Sequence, residues 1–104
     1  MIFPLDDKTK HALNEFCRRR QVRELSLFGS TVRGEAGPGS DVDVLVDFAP
    51  EASPTLLDLA DMQRELQSIF GRPVDLLTRR GMEASPNRPR REAILNSAQV
   101  VHAA

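Results

Sequence analysis

Residues 28–47 of this chain read FGSTVRGEAGPGSDVDVLVD, and this stretch decides most of the predicted fold. A glycine-rich loop joins the end of one apolar segment to a second one at 42–47. In the second segment, valines alternate with Asp43, Leu45 and Asp47, and a period of two is typical of a β-strand. The valines are therefore expected on one face of the strand and the two aspartates on the other.

Helical and strand patterns alternate along the rest of the chain. A helix capped by Asp6 or Asp7 is predicted to end at the arginines 18–20. Three strands are predicted, at 22–28, 42–47 and 74–78. A helix is predicted at 55–70, with an N-cap at Ser53 and Pro54 at the first helical position. The remaining predicted elements are a polar loop at 79–89, a short helix at 90–97 and an apolar tail at 100–101. This order predicts an α/β (α+β) protein with a small mixed β-sheet flanked by helices.

Length and composition set limits on the class of protein. With 104 residues, 40% of them hydrophobic and 28% charged, we expect a single domain over 1–104. An apolar run of about 20 residues, which a membrane-spanning helix needs, is absent, and the N-terminus does not resemble a secretory signal. Cys17 is the only cysteine, so no internal disulfide can form and a cytoplasmic location is expected.

The net charge of −1 conceals a strong pattern. Counting Lys and Arg against Asp and Glu, residues 1–33 carry +3, residues 34–63 carry −7, and residues 64–104 carry +3. One interpretation of the acidic block is a solvated face. The other is a cation site whose basic surroundings attract a polyanion.

The Gly29-Ser30 pair follows the first predicted strand. Gly29 has no side chain to block the approach of a ligand. Ser30 can turn its amide and hydroxyl toward an anion, and a helix N-terminus at this point would add partial positive charge. The pair is a candidate phosphate cradle, although the same dipeptide after a strand is often an ordinary turn.

Asp41 and Asp43 lie two residues apart at the start of the second strand, so they share a face. Unpaired, the two carboxylates would repel one another, whereas a divalent cation between them removes that penalty. Mg²⁺ favours one or two carboxylates, with water and substrate phosphate completing its shell. The alternative is an edge strand whose polar residues face solvent.

Asp75 lies in the third predicted strand among apolar residues. Such an acid is costly unless it is paired or bound to metal. If the third strand lies beside the second, Asp75 can meet Asp41 and Asp43, and three carboxylates would make a two-metal site. The alternative is a solvent-facing acid paired with an arginine such as Arg79.

Taken together, these residues form the pattern Gly-Ser-x-x-Arg-Gly-x5-Ser-Asp-x-Asp, matched in full over 29–43. In this pattern and in the later strand aspartate, the chain resembles the minimal nucleotidyltransferases of the DNA polymerase β-like superfamily. It is most similar to the MNT-type proteins, which are commonly antitoxins paired with HEPN-domain toxins. The resemblance covers nearly the whole chain and implies a nucleotidyltransferase fold, similar to the polymerase β palm.

The resemblance also implies roles for individual residues. Nucleotide binding would involve Gly29, Ser30, Arg33 and Ser40, with Arg33 either contacting phosphate or anchoring the loop. Mg²⁺ binding, with two ions expected, and catalysis would involve Asp41, Asp43 and Asp75. The implied reaction transfers AMP from ATP, a nucleoside triphosphate, to a hydroxyl of a HEPN toxin. The chain contains no tyrosine, so a tyrosine acceptor would have to come from another chain.

Three other functions stay open. A catalytically silent antitoxin would act by protein binding alone. A small-molecule nucleotidyltransferase similar to aminoglycoside-modifying enzymes would need a substrate domain that this length does not accommodate. A polymerase would need basic and aromatic residues interleaved for a template, so no direct nucleic-acid binding is expected. The sequence leaves open whether the chain forms a homo- or hetero-oligomer.

Overall fold

The computed structural model of the chain describes residues 5–29 and 41–103. Within these residues the backbone forms four helices and four strands. In chain order they are α1 (Asp7–Arg19), β1 (Val22–Leu27), β2 (Val42–Phe48), α2 (Leu56–Phe70), β3 (Val74–Thr78), α3 (Arg79–Glu83), α4 (Arg88–Ser97) and β4 (Gln99–Ala103).

The four strands form one mixed sheet in the order β3-β2-β1-β4. β2 and β3 are parallel, whereas β1 is antiparallel to both β2 and β4. The predicted small mixed sheet flanked by helices is confirmed, and the third strand does lie beside the second. None of the helices in the described ranges is long and apolar enough to cross a membrane.

The larger apolar core lies on the sheet face that α1 and α2 cover. Val42, Val44 and Val46 of β2 are fully buried there, against Phe16 of α1 and Leu66 of α2. The alternation of β2 therefore places its valines inside, as the sequence predicts.

A smaller core lies on the opposite face of the sheet. Leu45 of β2 packs there with Phe28, with Met82 of α3 and with Ile94 of α4. This is the face that also carries Asp43. The apolar cluster covers its middle, so the carboxylates lie beyond the cluster, at the end where β2 begins.

Capping side chains set the helix boundaries. Asp6 caps α1 by accepting a hydrogen bond from the Thr9 N–H at 2.7 Å, which confirms one of the two predicted caps. The predicted start of α2 at Ser53 and Pro54 is wrong. Thr55 is the N-cap of α2 and forms a reciprocal capping box with Asp58, which satisfies two backbone N–H groups at the helix start.

Two elements of the C-terminal third differ from prediction. The loop predicted at 79–89 contains α3, which Thr78 caps by accepting from the Gly81 N–H at 3.1 Å. The tail predicted at 100–101 is part of β4, an edge strand that gains its hydrogen bonds by pairing with β1. α4 begins at Arg88, two residues earlier than predicted, because Asn87 caps it.

Candidate active site

Two of the three candidate carboxylates are neighbours across adjacent strands. Asp43 of β2 pairs with Asp75 of β3 in the parallel register, which places their Cα atoms about 4.8 Å apart and their side chains on one face of the sheet. Asp41 is exposed and lies two residues before Asp43, immediately before β2 begins. The backbone register therefore brings Asp43 and Asp75 together, whereas within the described residues Asp41 does not join them closely enough to complete a group of three metal-binding carboxylates.

The end of β1 meets the start of β2 beside this pair. The Phe28 N–H donates to the Asp43 carbonyl at 3.1 Å. At Gly29, φ is +65°, and a Cβ there would lie only 2.6 Å from Oδ2 of Asp43. Glycine is required at this position for its backbone conformation and for the close approach of the Asp43 carboxylate, a reason that the sequence does not show.

Ser97 is a site residue that the sequence analysis missed. Its hydroxyl accepts a hydrogen bond from the Gly29 N–H at 3.5 Å and donates to the Ile94 carbonyl at 3.2 Å. The last residue of α4 is thereby tied to the loop that follows β1. No local pattern could have revealed this contact, because it joins residues that are 68 positions apart.

The surroundings of Asp75 differ from the sequence-based expectation. Asp75 is exposed, so the argument that it is costly without a partner is wrong. Its apolar sequence neighbours point to the other face of β3. The alternative of a solvent-facing acid is confirmed, but its pairing with Arg79 is wrong, because Arg79 lies 3.8 Å from Glu24 and 3.4 Å from Glu83.

Three of the candidate nucleotide-binding residues, Ser30, Arg33 and Ser40, lie outside the described residues. Across 5–29 and 41–103, no set of three or more His, Cys, Asp or Glu side chains is grouped closely enough to hold a metal ion. The Asp43–Asp75 pair nevertheless fits the donor set of Mg²⁺, because this ion commonly takes one or two carboxylates and completes its shell with water and substrate phosphate.

Comparisons with known proteins place this chain in a family. Residues 10–101 match the family model of the nucleotidyltransferase domain. The protein adenylyltransferase MntA of Thermococcus cleftensis is 43% identical over 70 residues, which cover 67% of this chain and 69% of that protein. The solved structure of a candidate minimal nucleotidyltransferase aligns with a TM-score of 0.67 at 36% identity, over 86% of each chain.

A chain from the complex of a tri-AMPylated Shewanella oneidensis HEPN toxin with an MNT antitoxin also has this fold. It aligns with a TM-score of 0.63 at 17% identity, over 92% of this chain and 71% of that chain. At this identity the likeness concerns the fold alone. From the family match and the identity to MntA, the chain belongs to the nucleotidyltransferase domain family, and the fold and enzyme class predicted from the sequence are confirmed.

Proposed function

We propose that this chain transfers AMP from ATP to a hydroxyl of a HEPN-domain toxin and thereby neutralises it. The observation that carries the proposal is the Asp43–Asp75 pair, which lies beside Gly29 at one end of the sheet. Two neighbours support the choice of substrates. The relative MntA is named a protein adenylyltransferase, and the HEPN toxin in the structurally similar complex is AMPylated.

In this proposal the carboxylates and the loop after β1 have different tasks. Asp41, Asp43 and Asp75 would hold Mg²⁺, and Gly29, Ser30, Arg33 and Ser40 would bind the nucleotide. When bound, Mg²⁺ supplies positive charge that stabilises the attacking and leaving oxygens of an in-line displacement, and two ions can share this task. The contribution of the chain is to hold the reacting groups in position.

The reaction forms one bond and breaks one. The acceptor oxygen bonds to the α-phosphorus of ATP. The bond from that phosphorus to the oxygen shared with the β-phosphate breaks, and pyrophosphate leaves. We assign to Asp75 the role of accepting the hydroxyl proton, because its exposed carboxylate lies beside Asp43. A tyrosine acceptor has to come from the partner, since this chain contains none.

The proposal also covers the setting of the reaction. Residues 1–104 act as a single nucleotidyltransferase domain, in a hetero-oligomer with the toxin. A cytoplasmic location fits the one cysteine of the chain, Cys17, which is buried.

Replacement of one carboxylate separates catalysis from binding. We expect Asp43→Asn to lower AMP transfer by more than about a hundredfold, the usual loss when a preorganised electrostatic group is removed. Asp47→Asn is the matched control, because Asp47 is on the same strand and face but pairs with Arg23 at 2.6 Å. If Asp43→Asn folds, transfers no AMP and still neutralises the toxin, the chain acts by binding alone.

A further inference from the structure

A groove of about 320 Å³ runs along the outer side of β3. Its apolar lining comes from both faces of the sheet and consists of Leu59, Leu76, Leu77, Met82 and Ile94. Ser85, Arg90 and Arg91 are among the other residues that line the groove. Surfaces that bind a protein segment often combine an apolar centre with arginines.

The groove carries positive charge that the described residues do not neutralise. No carboxylate within 5–29 or 41–103 lies within ion-pair distance of Arg90 or Arg91, whereas the nearby Arg88 pairs with Glu92 at 3.0 Å. Arg91 donates to the carbonyl of Glu83 at 3.2 Å. A carbonyl acceptor leaves the guanidinium charge in place, so both arginines favour an acidic ligand.

The backbone of β3 is open toward the groove because β3 is an edge strand. The Val42 N–H donates to the Pro73 carbonyl at 2.8 Å, so the backbone of Pro73 faces β2. In a parallel ladder every second residue faces the same neighbouring strand, so Asp75 also faces β2, whereas the backbone N–H and C=O of Leu76 point away from it. The outward Val74 N–H follows this alternation, since it donates to Oε1 of Gln67 at 3.2 Å. An extended segment in the groove can therefore hydrogen-bond to β3.

The groove lies next to the candidate catalytic carboxylates. Leu77 is two residues from Asp75 on the same face of β3, a separation of roughly 6–7 Å at the rise of a strand. A side chain from a segment seated in the groove can span that distance. We propose that the groove binds an acidic segment of the HEPN partner with an apolar residue on its inner side, and so brings the acceptor hydroxyl to Asp75.

This inference rests on the proposed function. It is tested by a substitution that fills the groove with a bulky side chain. The ligand is a HEPN-domain toxin, and its affinity for this chain is measured by titration calorimetry. Ser85→Trp places an indole in the groove and removes the hydrogen bond that Oγ accepts from the Asn87 N–H at 3.3 Å. Ser85→Ala loses only that hydrogen bond, so its affinity for the partner is the reference for Ser85→Trp. We expect Ser85→Trp to bind the partner at least about tenfold more weakly than Ser85→Ala, as for loss of a central interface contact.

A second pair of variants tests the charge without altering the groove's apolar lining. Arg90→Glu should weaken partner binding about three- to tenfold at low salt and less at high salt. Arg18→Glu on α1 makes the same charge change at an exposed arginine elsewhere on the chain, and we expect it to bind like the parent chain.

The outcomes separate the groove from the proposed function. If Ser85→Trp binds the partner as tightly as Ser85→Ala while the parent chain still transfers AMP, the groove proposal is wrong and the proposed function stands. If Ser85→Trp loses affinity for ATP instead, the groove is a nucleotide subsite and the proposal is also wrong. If the parent chain neither binds nor modifies the HEPN protein, both proposals are wrong.

Discussion

Replacement of Gly29 by alanine tests whether this glycine is required by the Asp43 carboxylate. The new Cβ would lie 2.6 Å from Oδ2 of Asp43, whereas ordinary van der Waals contact begins at 3.4 Å. The carboxylate or the loop must therefore move by about 0.8 Å. Because a misplacement of about 1 Å can lower a rate by roughly a hundredfold, we expect AMP transfer to fall by about that factor.

Gly71 provides a matched control for backbone strain. It ends α2 with φ at +68°, close to the +65° of Gly29, but a Cβ there meets no atom within 4 Å. Alanine in the left-handed region costs about 1–2 kcal/mol at either glycine. Gly71→Ala should therefore lose about that much free energy of unfolding and keep its transfer rate.

The assay combines urea unfolding with the transfer rate to a HEPN partner, measured at saturating ATP and Mg²⁺. Gly29→Ala should be at least as destabilised as Gly71→Ala and much slower. If the two variants transfer AMP at the same rate, the contact with Asp43 does not matter for catalysis, and the placement of the site beside Gly29 is refuted.

Three further predictions concern the surroundings of the site and the stability of the fold. In calorimetric titration, Ser97→Ala should weaken ATP binding about two- to tenfold, the equivalent of one hydrogen bond, and Ser97→Thr should restore it. Equal ATP affinity in the parent chain and both variants would contradict the role of Ser97 in positioning the loop at Gly29. The backbone N–H of Thr55 holds the pKa of Asp58 below its usual 3.8. The ionised carboxylate therefore stabilises α2 fully above that pH. This stabilisation is lost as the pH falls through the lower pKa that Asp58 has in the folded chain. Urea unfolding should therefore show that Asp58→Ala is destabilised relative to the parent chain at neutral pH and that the difference shrinks well below pH 3.8; a difference that does not change with pH would contradict this. Burial raises the pKa of the Cys17 thiol to about 12, so iodoacetamide at neutral pH should add mass only after unfolding, and rapid labelling of the folded chain would contradict the buried position.

The local patterns of the sequence predict the strand that carries the site. Alternation in β2 places Asp43 on the face opposite the buried valines, since side-chain direction in a strand follows from a period of two. The helix between β2 and β3 is long enough for a parallel connection, which brings Asp75 beside Asp43. The face of Asp43 follows from the local pattern alone, whereas the position of Asp75 also requires β3 to pair with β2, which the sequence analysis could state only as a condition.

The features that the sequence analysis missed depend mainly on contacts between distant residues. β4 is short and half-exposed, and it becomes a strand by pairing with β1. The hydrogen bond from Gly29 to Ser97 and the contact of Gly29 with Asp43 likewise form only after the elements pack. The start of α2 is different, because Thr55 and Asp58 carry a capping-box pattern in the sequence itself, and Ser53 with Pro54 offered a competing helix start.

Intact mass spectrometry of the two proteins tests the central claim most directly. This chain is incubated with ATP, Mg²⁺ and a HEPN-domain toxin, and the masses of both chains are measured. Because the proposed acceptor hydroxyl belongs to the partner, the account predicts that the mass of this chain stays the same and that the partner becomes heavier by one or more AMP units. AMP found only on this chain, or on neither protein, would contradict the account.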